Sequence, residues 1–114
     1  MSRRDWSLFI ANMQEAIEKI AGYVDAMTFT DFRSDTRTVD AVVHNLLVIG
    51  EAARCLPASI KEPHPEIDWI AINGLRNRIA HEDFGLSLSV IGEIVPMDLP
   101  NLDGQPAALL ESER

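Results

Sequence analysis

The chain has 114 residues, 46% of them hydrophobic, and a formal net charge of −8. That length supports one core rather than two, and the acidity argues against a surface that grips long duplex nucleic acid, where affinity comes mainly from neutralising phosphates. A lone cysteine, Cys55, excludes an internal disulfide and a cysteine-based zinc site, no apolar run reaches the length of a membrane span, and the first residues lack a signal-peptide core, so the cytoplasm is the expected location.

Many Ala, Leu, Ile and Glu residues and few β-branched runs favour helix throughout. From Trp6, the residues Phe9, Met13, Ile17, Ile20 and Val24 follow at steps of three and four, which predicts a helix over residues 4–26. Residues 28–36 are polar and rich in potential caps, with a short turn expected around Phe29 and Phe32, whose rings plug the core. A second long helix is predicted from about Asp35 to Leu56. Val39, Val42, Val43, Leu46, Leu47 and Ile49 give it a face broad enough to meet both the core and a second subunit. Gly50, in its middle, costs about 1 kcal/mol relative to alanine, and a close approach by another helix would account for it.

Pro57, Pro63 and Pro65 bracket a loop. A third helix is expected to start near Pro65 or Glu66, to carry Ile67, Trp69, Ile70, Ile72, Leu75 and Ile79, and to end near Phe84 with Gly85 as its cap. A fourth starts near Ser87 or Ser89 and carries Leu88, Ile91, Ile94 and Val95, with Pro96 and Pro100 breaking or kinking it. The tail from Asn101 reads as irregular, with a final helical turn at 107–110. These elements predict an all-α, antiparallel four-helix bundle with an additional short helix or turn. One domain spans 1–114, its core about 5–102 and its tail, 103–114, flexible or partly helical.

The chemistry concentrates after Gly74. Arg76, Asn77, Arg78 and His81 put two guanidinium groups, an amide and an imidazole within about two helical turns. Asn77 and His81 are four apart and share a face. Arg76 precedes His81 by five residues, about 140° around an ideal helix, a gap that a long side chain or a second subunit's copy can close. Leu75 and Ile79 form a neighbouring stripe that anchors the segment. This set suits RNA cleavage without a metal or cofactor. Attack of a ribose 2′-OH on the adjacent phosphate needs proton transfer, which histidine supplies near neutral pH. It also needs positive charge on the phosphorane oxygens, which arginine supplies as a fixed fork of donors. A small local positive site would let an acidic protein do this. Taken alone, the same pattern also describes a solvated helix end whose histidine favours the helix dipole.

Other polar residues have plainer readings. His44 is a packed or interface histidine, with a site role as the alternative, and His64 a loop or cap residue. Glu51 reaches a partner, braces the Arg76 region or is simply solvated. Trp6 and Trp69 are core or interface anchors.

Asp40 to Arg54, with Ile49-Gly50-Glu51-Ala52 inside it, resembles the second long helix of HepT-like proteins of the HEPN ribonuclease superfamily. His64-Pro65-Glu66-Ile67, then Leu75-Arg76-Asn77-Arg78 and His81, is similar to the active-site helix of that family. Leu88 to Leu99, with the Asp98-Leu99-Pro100 ending, is similar to its closing helix. The order of these pieces is more specific than any one of them. The resemblance implies a HEPN-type bundle that forms a homodimer with two such motifs facing each other. It implies a metal-independent endoribonuclease, the toxin of a toxin–antitoxin pair, with a cognate nucleotidyltransferase of the MntA type as antitoxin. In that reading Arg76 stabilises the phosphate, His81 moves the proton and Asn77 orients the site, with Arg78 and Asp83 at the substrate.

One departure stands out. Many members of the family place a tyrosine two residues after the histidine, where the partner silences them by AMPylation. Here Asp83 holds that position and Tyr23 is the only tyrosine. Asp83 adds negative charge beside the expected phosphate, which would lower activity. The alternative is a non-catalytic helical module that binds a nucleotidyltransferase, which the acidity and Asp83 also fit.

Overall fold

The computed structural model describes residues 2–79 and 88–112. Every regular element among them is helical. The first helix, α1, spans Arg3–Tyr23. The Ser2 hydroxyl accepts from the Asp5 backbone N–H at 3.3 Å, and the Asp5 carboxylate accepts from the Ser2 N–H at 3.4 Å. This reciprocal cap satisfies donors that a helix start leaves open. The helix stops three residues short of the expected 26 because Ala26 takes φ 61°, a left-handed conformation that no α-helix continues through.

Helix α2, Phe29–Ser34, has the same reciprocal cap from Thr28 and Asp31. Phe32 enters the core as expected, but Phe29 does not: its side chain is 45% exposed. Its ring instead leans on Gly92, where any side chain would overlap it. Helix α3, Thr36–Cys55, starts at Asp35, whose carboxylate accepts from the Thr38 N–H at 3.2 Å and from the Thr38 hydroxyl at 2.9 Å. Trp6, Ile10, Met13, Ile17 and Ile20 of α1 and Val42, Leu46, Ile49 and Ala53 of α3 belong to one buried cluster, and the two helices make the most extensive contact in the fold.

The proline-bracketed loop holds a short helix, α4, Ala58–Lys61. The next helix starts at Trp69 rather than at Pro65 or Glu66. Asp68 caps it, accepting from the Ala71 N–H at 3.1 Å. The Trp69 indole N–H donates to the carbonyls of Lys61 and His64, at 3.2 and 3.1 Å, which holds the intervening turns against the helix start. The expected third helix is also divided, into α5, Trp69–Asn73, and α6, Leu75–Ile79. Gly74 is the joint, at φ −88° and ψ 2°. It still donates to Ile70 and accepts from Arg78, so backbone hydrogen bonds continue across the joint.

Helix α7, Leu88–Glu93, runs into a π-helical stretch over Ile94–Asp98 and then α8, Leu99–Leu102. Pro96 therefore does not break the helix. The wider π turn takes in a residue with no N–H to give, and Pro100 lies in the first turn of α8, where none is needed. The tail is more ordered than its composition suggests. Gly104, at φ 85°, turns the chain into α9, Gln105–Ser112, which buries Pro106 and Leu109. Gln14 of α1 ties this turn down, donating to Asp103 at 2.8 Å and accepting from the Gly104 N–H at 3.1 Å.

Gly50 explains how α5 and α6 reach α3. A Cβ there would sit 3.3 Å from the Ile72 carbonyl oxygen and 3.6 Å from Leu75 Cβ. Any larger side chain would push the pair outward. Replacing Gly50 with leucine is expected to lower the unfolding free energy by about 1–3 kcal/mol in urea melts. Gly22→Ala, with nothing within 4 Å of the added carbon, should raise it by about 0.4–1 kcal/mol.

A pH test follows from Asp35. The Thr38 side-chain and backbone hydrogen bonds hold its carboxyl below the ordinary value of 3.8. Such a group stabilises the fold above its unfolded-state pKa, and that contribution is lost as pH falls through the lower folded value. The Tm deficit of Asp35→Ala relative to the parent should thus be largest near neutral pH and shrink in acid below the ordinary carboxylate range. A deficit that grows in acid would contradict the assignment.

Candidate active site

Leu75 and Ile79 are buried and lie four residues apart on α6, which fixes the rotation of this short helix. Arg76, Asn77 and Arg78 are then left exposed. The structure brings these three expected site residues together on one turn, on the outer side of the α3–α5–α6 contact. His81 and Asp83, together with the expected helix end at Phe84 and Gly85, lie outside the described residues.

Arg78 differs from its neighbours. It lines a cleft of about 340 Å³ together with Glu66 and Asp68, which precede α5, Asn101 of α8 and Gln105 of α9. Ile72, Leu75, Ile94, Leu99 and Leu102 supply the apolar wall. Of these polar groups only Arg78 was expected from sequence at the substrate; Glu66 was noted only within the family-like stretch that starts at His64. Asp68 could have been found as a helix cap. Asn101 and Gln105 lie in the stretch read as an irregular tail, where no periodicity relates them to Arg78.

The Glu66 carboxylate accepts from the His64 ring at 3.1 Å. Its own backbone N–H, and secondarily His64, hold its pKa below the ordinary value. On the other side of the imidazole, Ser112 Oγ lies 3.4 Å from His64 Nε2. Serine, histidine and glutamate in a row suggest a nucleophile with its base and acid. The hydroxyl, however, donates to the Leu109 carbonyl at 3.0 Å, the shorter contact. The group ties α9 to the loop before α5.

Glu51 does not brace Arg76. It pairs with Arg54 at 3.6 Å, with both side chains largely exposed, a contact of little energetic weight. His44 is exposed on the same side of α3. A second cavity, of about 400 Å³, lies among α1, α2 and α7 to α8, and its lining is almost wholly apolar. Among the described residues no group of three or more His, Cys, Asp or Glu side chains is placed to hold a metal ion, and no helix is long and apolar enough to cross a membrane.

Asn73, which sequence reasoning passed over, carries the one buried side-chain oxygen among the described residues without a hydrogen-bond partner. Such a group costs free energy in the isolated chain unless something outside it supplies a donor. Because Asn73→Ala removes no hydrogen bond of that oxygen, it should change the unfolding free energy by less than about 1 kcal/mol. A loss of several kcal/mol in a denaturant melt would show that the oxygen has a partner.

Comparison with known proteins identifies the family. The family described as Ribonuclease HepT-like matches residues 13–109. The chain is 34% identical over 103 residues to "Probable ribonuclease HepT" of Thermococcus cleftensis, covering 90% of this chain and 94% of that protein. It is 33% identical over 101 residues to "Putative RNase MJ0127" of Methanocaldococcus jannaschii, covering 89% and 84%. No solved structure matches the chain.

Proposed function

The chain belongs to the ribonuclease HepT-like family, and from that premise we propose that it is a metal-independent endoribonuclease acting as the toxin of a toxin–antitoxin pair. The observation that carries this reading is the burial of Leu75 and Ile79, which turns Arg76 and Asn77 of the family-like motif to the outside. Arg76 donates to the non-bridging oxygens of the scissile phosphate and offsets the charge that grows there. His81 takes the proton of the 2′-OH as that oxygen attacks phosphorus. The bond to the 5′-oxygen breaks, that oxygen receives a proton, and the products carry a 2′,3′-cyclic phosphate and a 5′-OH. Asn77 orients the attacking group or the imidazole.

The active form is a homodimer in this proposal. Ile70 on α5 is 87% exposed and Leu47 on α3 is 37% exposed, and both lie on the elements that carry or seat the motif. Covering large apolar side chains of this kind favours association. The cognate antitoxin is a nucleotidyltransferase of the MntA type. With Asp83 in place of the family tyrosine, that partner must silence the toxin by another route, and the Asp83 charge lowers the resting activity. The formal net charge of −8 favours a second reading, in which the protein is a non-catalytic module that docks onto the nucleotidyltransferase.

Purified protein should cleave single-stranded RNA equally with and without chelator and leave cyclic-phosphate ends. Arg76→Ala and His81→Ala should each lower the rate by about a hundredfold or more with unchanged circular dichroism. Asp83→Tyr should raise it. Cleavage by His81→Ala at the parent rate would remove the proposed proton carrier, and an inert parent that binds the nucleotidyltransferase tightly would favour the docking module.

A further inference from the structure

We propose that the cleft bounded by α5, α6, α8 and the start of α9 is a nucleobase subsite that selects guanine next to the scissile phosphate. The inference rests on the nuclease reading of α6 and adds which RNA is cut. The cleft is lined in part by Leu75 and Arg78 of α6, the helix that also carries Arg76. Its volume, about 340 Å³, lies at the lower end of the range for small-ligand sites, about 300–1,000 Å³. That suits one base with part of its ribose.

The lining determines the class of ligand. Ile72, Leu75 and Leu99 offer an apolar wall for the flat face of a base. Glu66 and Asp68 bring two carboxylates to the same cleft, which repel a phosphate but accept from base N–H groups. Asn101 and Gln105 add amides that both donate and accept. Single-stranded RNA is read in this way, by packing on a splayed base and hydrogen bonding to its edge. Arg78 is suited to the ribose–phosphate end or to stacking on the base plane.

The carboxylates also choose among bases. Guanine presents two adjacent donors, N1–H and the N2 amino group, which one carboxylate can accept together. Adenine, cytosine and uracil each set an acceptor beside the donor on that edge, so the second carboxylate oxygen meets repulsion. Both acids already accept hydrogen bonds, but Asp68 is held in place as the cap of α5, whereas Glu66 accepts from the side chain of His64 and keeps further lone pairs on its two oxygens for a base. The His64 ring, 3.1 Å from Glu66 Oε1, orients the carboxylate. Arg78 thereby takes a role distinct from that of Arg76: it holds the nucleotide, and Arg76 meets the reacting phosphate.

The test uses the full chain, its Glu66→Gln variant, and four short RNAs that differ only in the base flanking the cleaved bond. The parent should favour the guanine substrate in kcat/KM by about tenfold or more, the usual weight of one bidentate base contact. Glu66→Gln should erase that preference, so that the ratio of kcat/KM for the guanine substrate to that for each of the other three falls to about one. An unchanged base profile in Glu66→Gln would overturn the subsite. Should neither protein cut RNA, the nuclease reading fails separately, and the subsite is then judged by NMR titration with guanosine and uridine 3′-monophosphates. Guanosine monophosphate moving the amide signals of residues 66–68 and 101–105 in the parent but not in the variant supports it. No movement, or movement only on adding a partner protein, overturns it.

Discussion

The contact at Gly50 sets the position of everything that bears on function. With no side chain there, α3 comes within van der Waals reach of the Ile72 carbonyl and of Leu75. That seats α5 and the joint at Gly74, and it draws Leu75 and Ile79 into the core. Rotation of α6 has no freedom left once those two side chains are buried. Arg76, Asn77 and Arg78 must then face outward. A glycine that weakens its own helix by about 1 kcal/mol thus fixes a helix only five residues long, which would not hold its shape alone.

This arrangement separates two arginines that lie two residues apart. On a helix such neighbours point in different directions. Arg78 faces a walled cleft shared with acids and amides, and Arg76 is not among the residues that line that cleft. One short turn can in this way serve a reacting phosphate on one side and an adjoining nucleotide on the other. It also reconciles an acidic protein with an RNA substrate, since a few fixed guanidinium groups act locally whatever the net charge.

The long helices were legible because their apolar residues recur at steps of three and four. The role of Gly50 was legible because a glycine inside such a helix asks for a close neighbour. Helix ends were read less well. Asp68 rather than Pro65 starts α5, since a carboxylate cap and the Trp69 indole bonds decide it, and neither has a hydrophobic period. Pro96 looked like a breaker, and a π turn absorbs it. The helix after Gly104 was read only as a turn at 107–110, because only Pro106 and Leu109 of its residues are buried, too few to set a longer pattern. Of the candidate site, the cluster on α6 could be named from its residue types. The cleft could not, because Asn101 and Gln105 reach Arg78 only through tertiary packing.

The central claim is spatial: Arg76, turned outward by the seating of α6, meets the phosphate at which RNA is cut. A crystal structure of the protein with a short RNA made uncleavable by a 2′-deoxy substitution at the cut site would test this directly. The account predicts the phosphate within hydrogen-bond distance of the Arg76 guanidinium, with the His81 imidazole beside the substituted 2′ position. An oligonucleotide bound elsewhere, with Arg76 turned away from every phosphate, would contradict it.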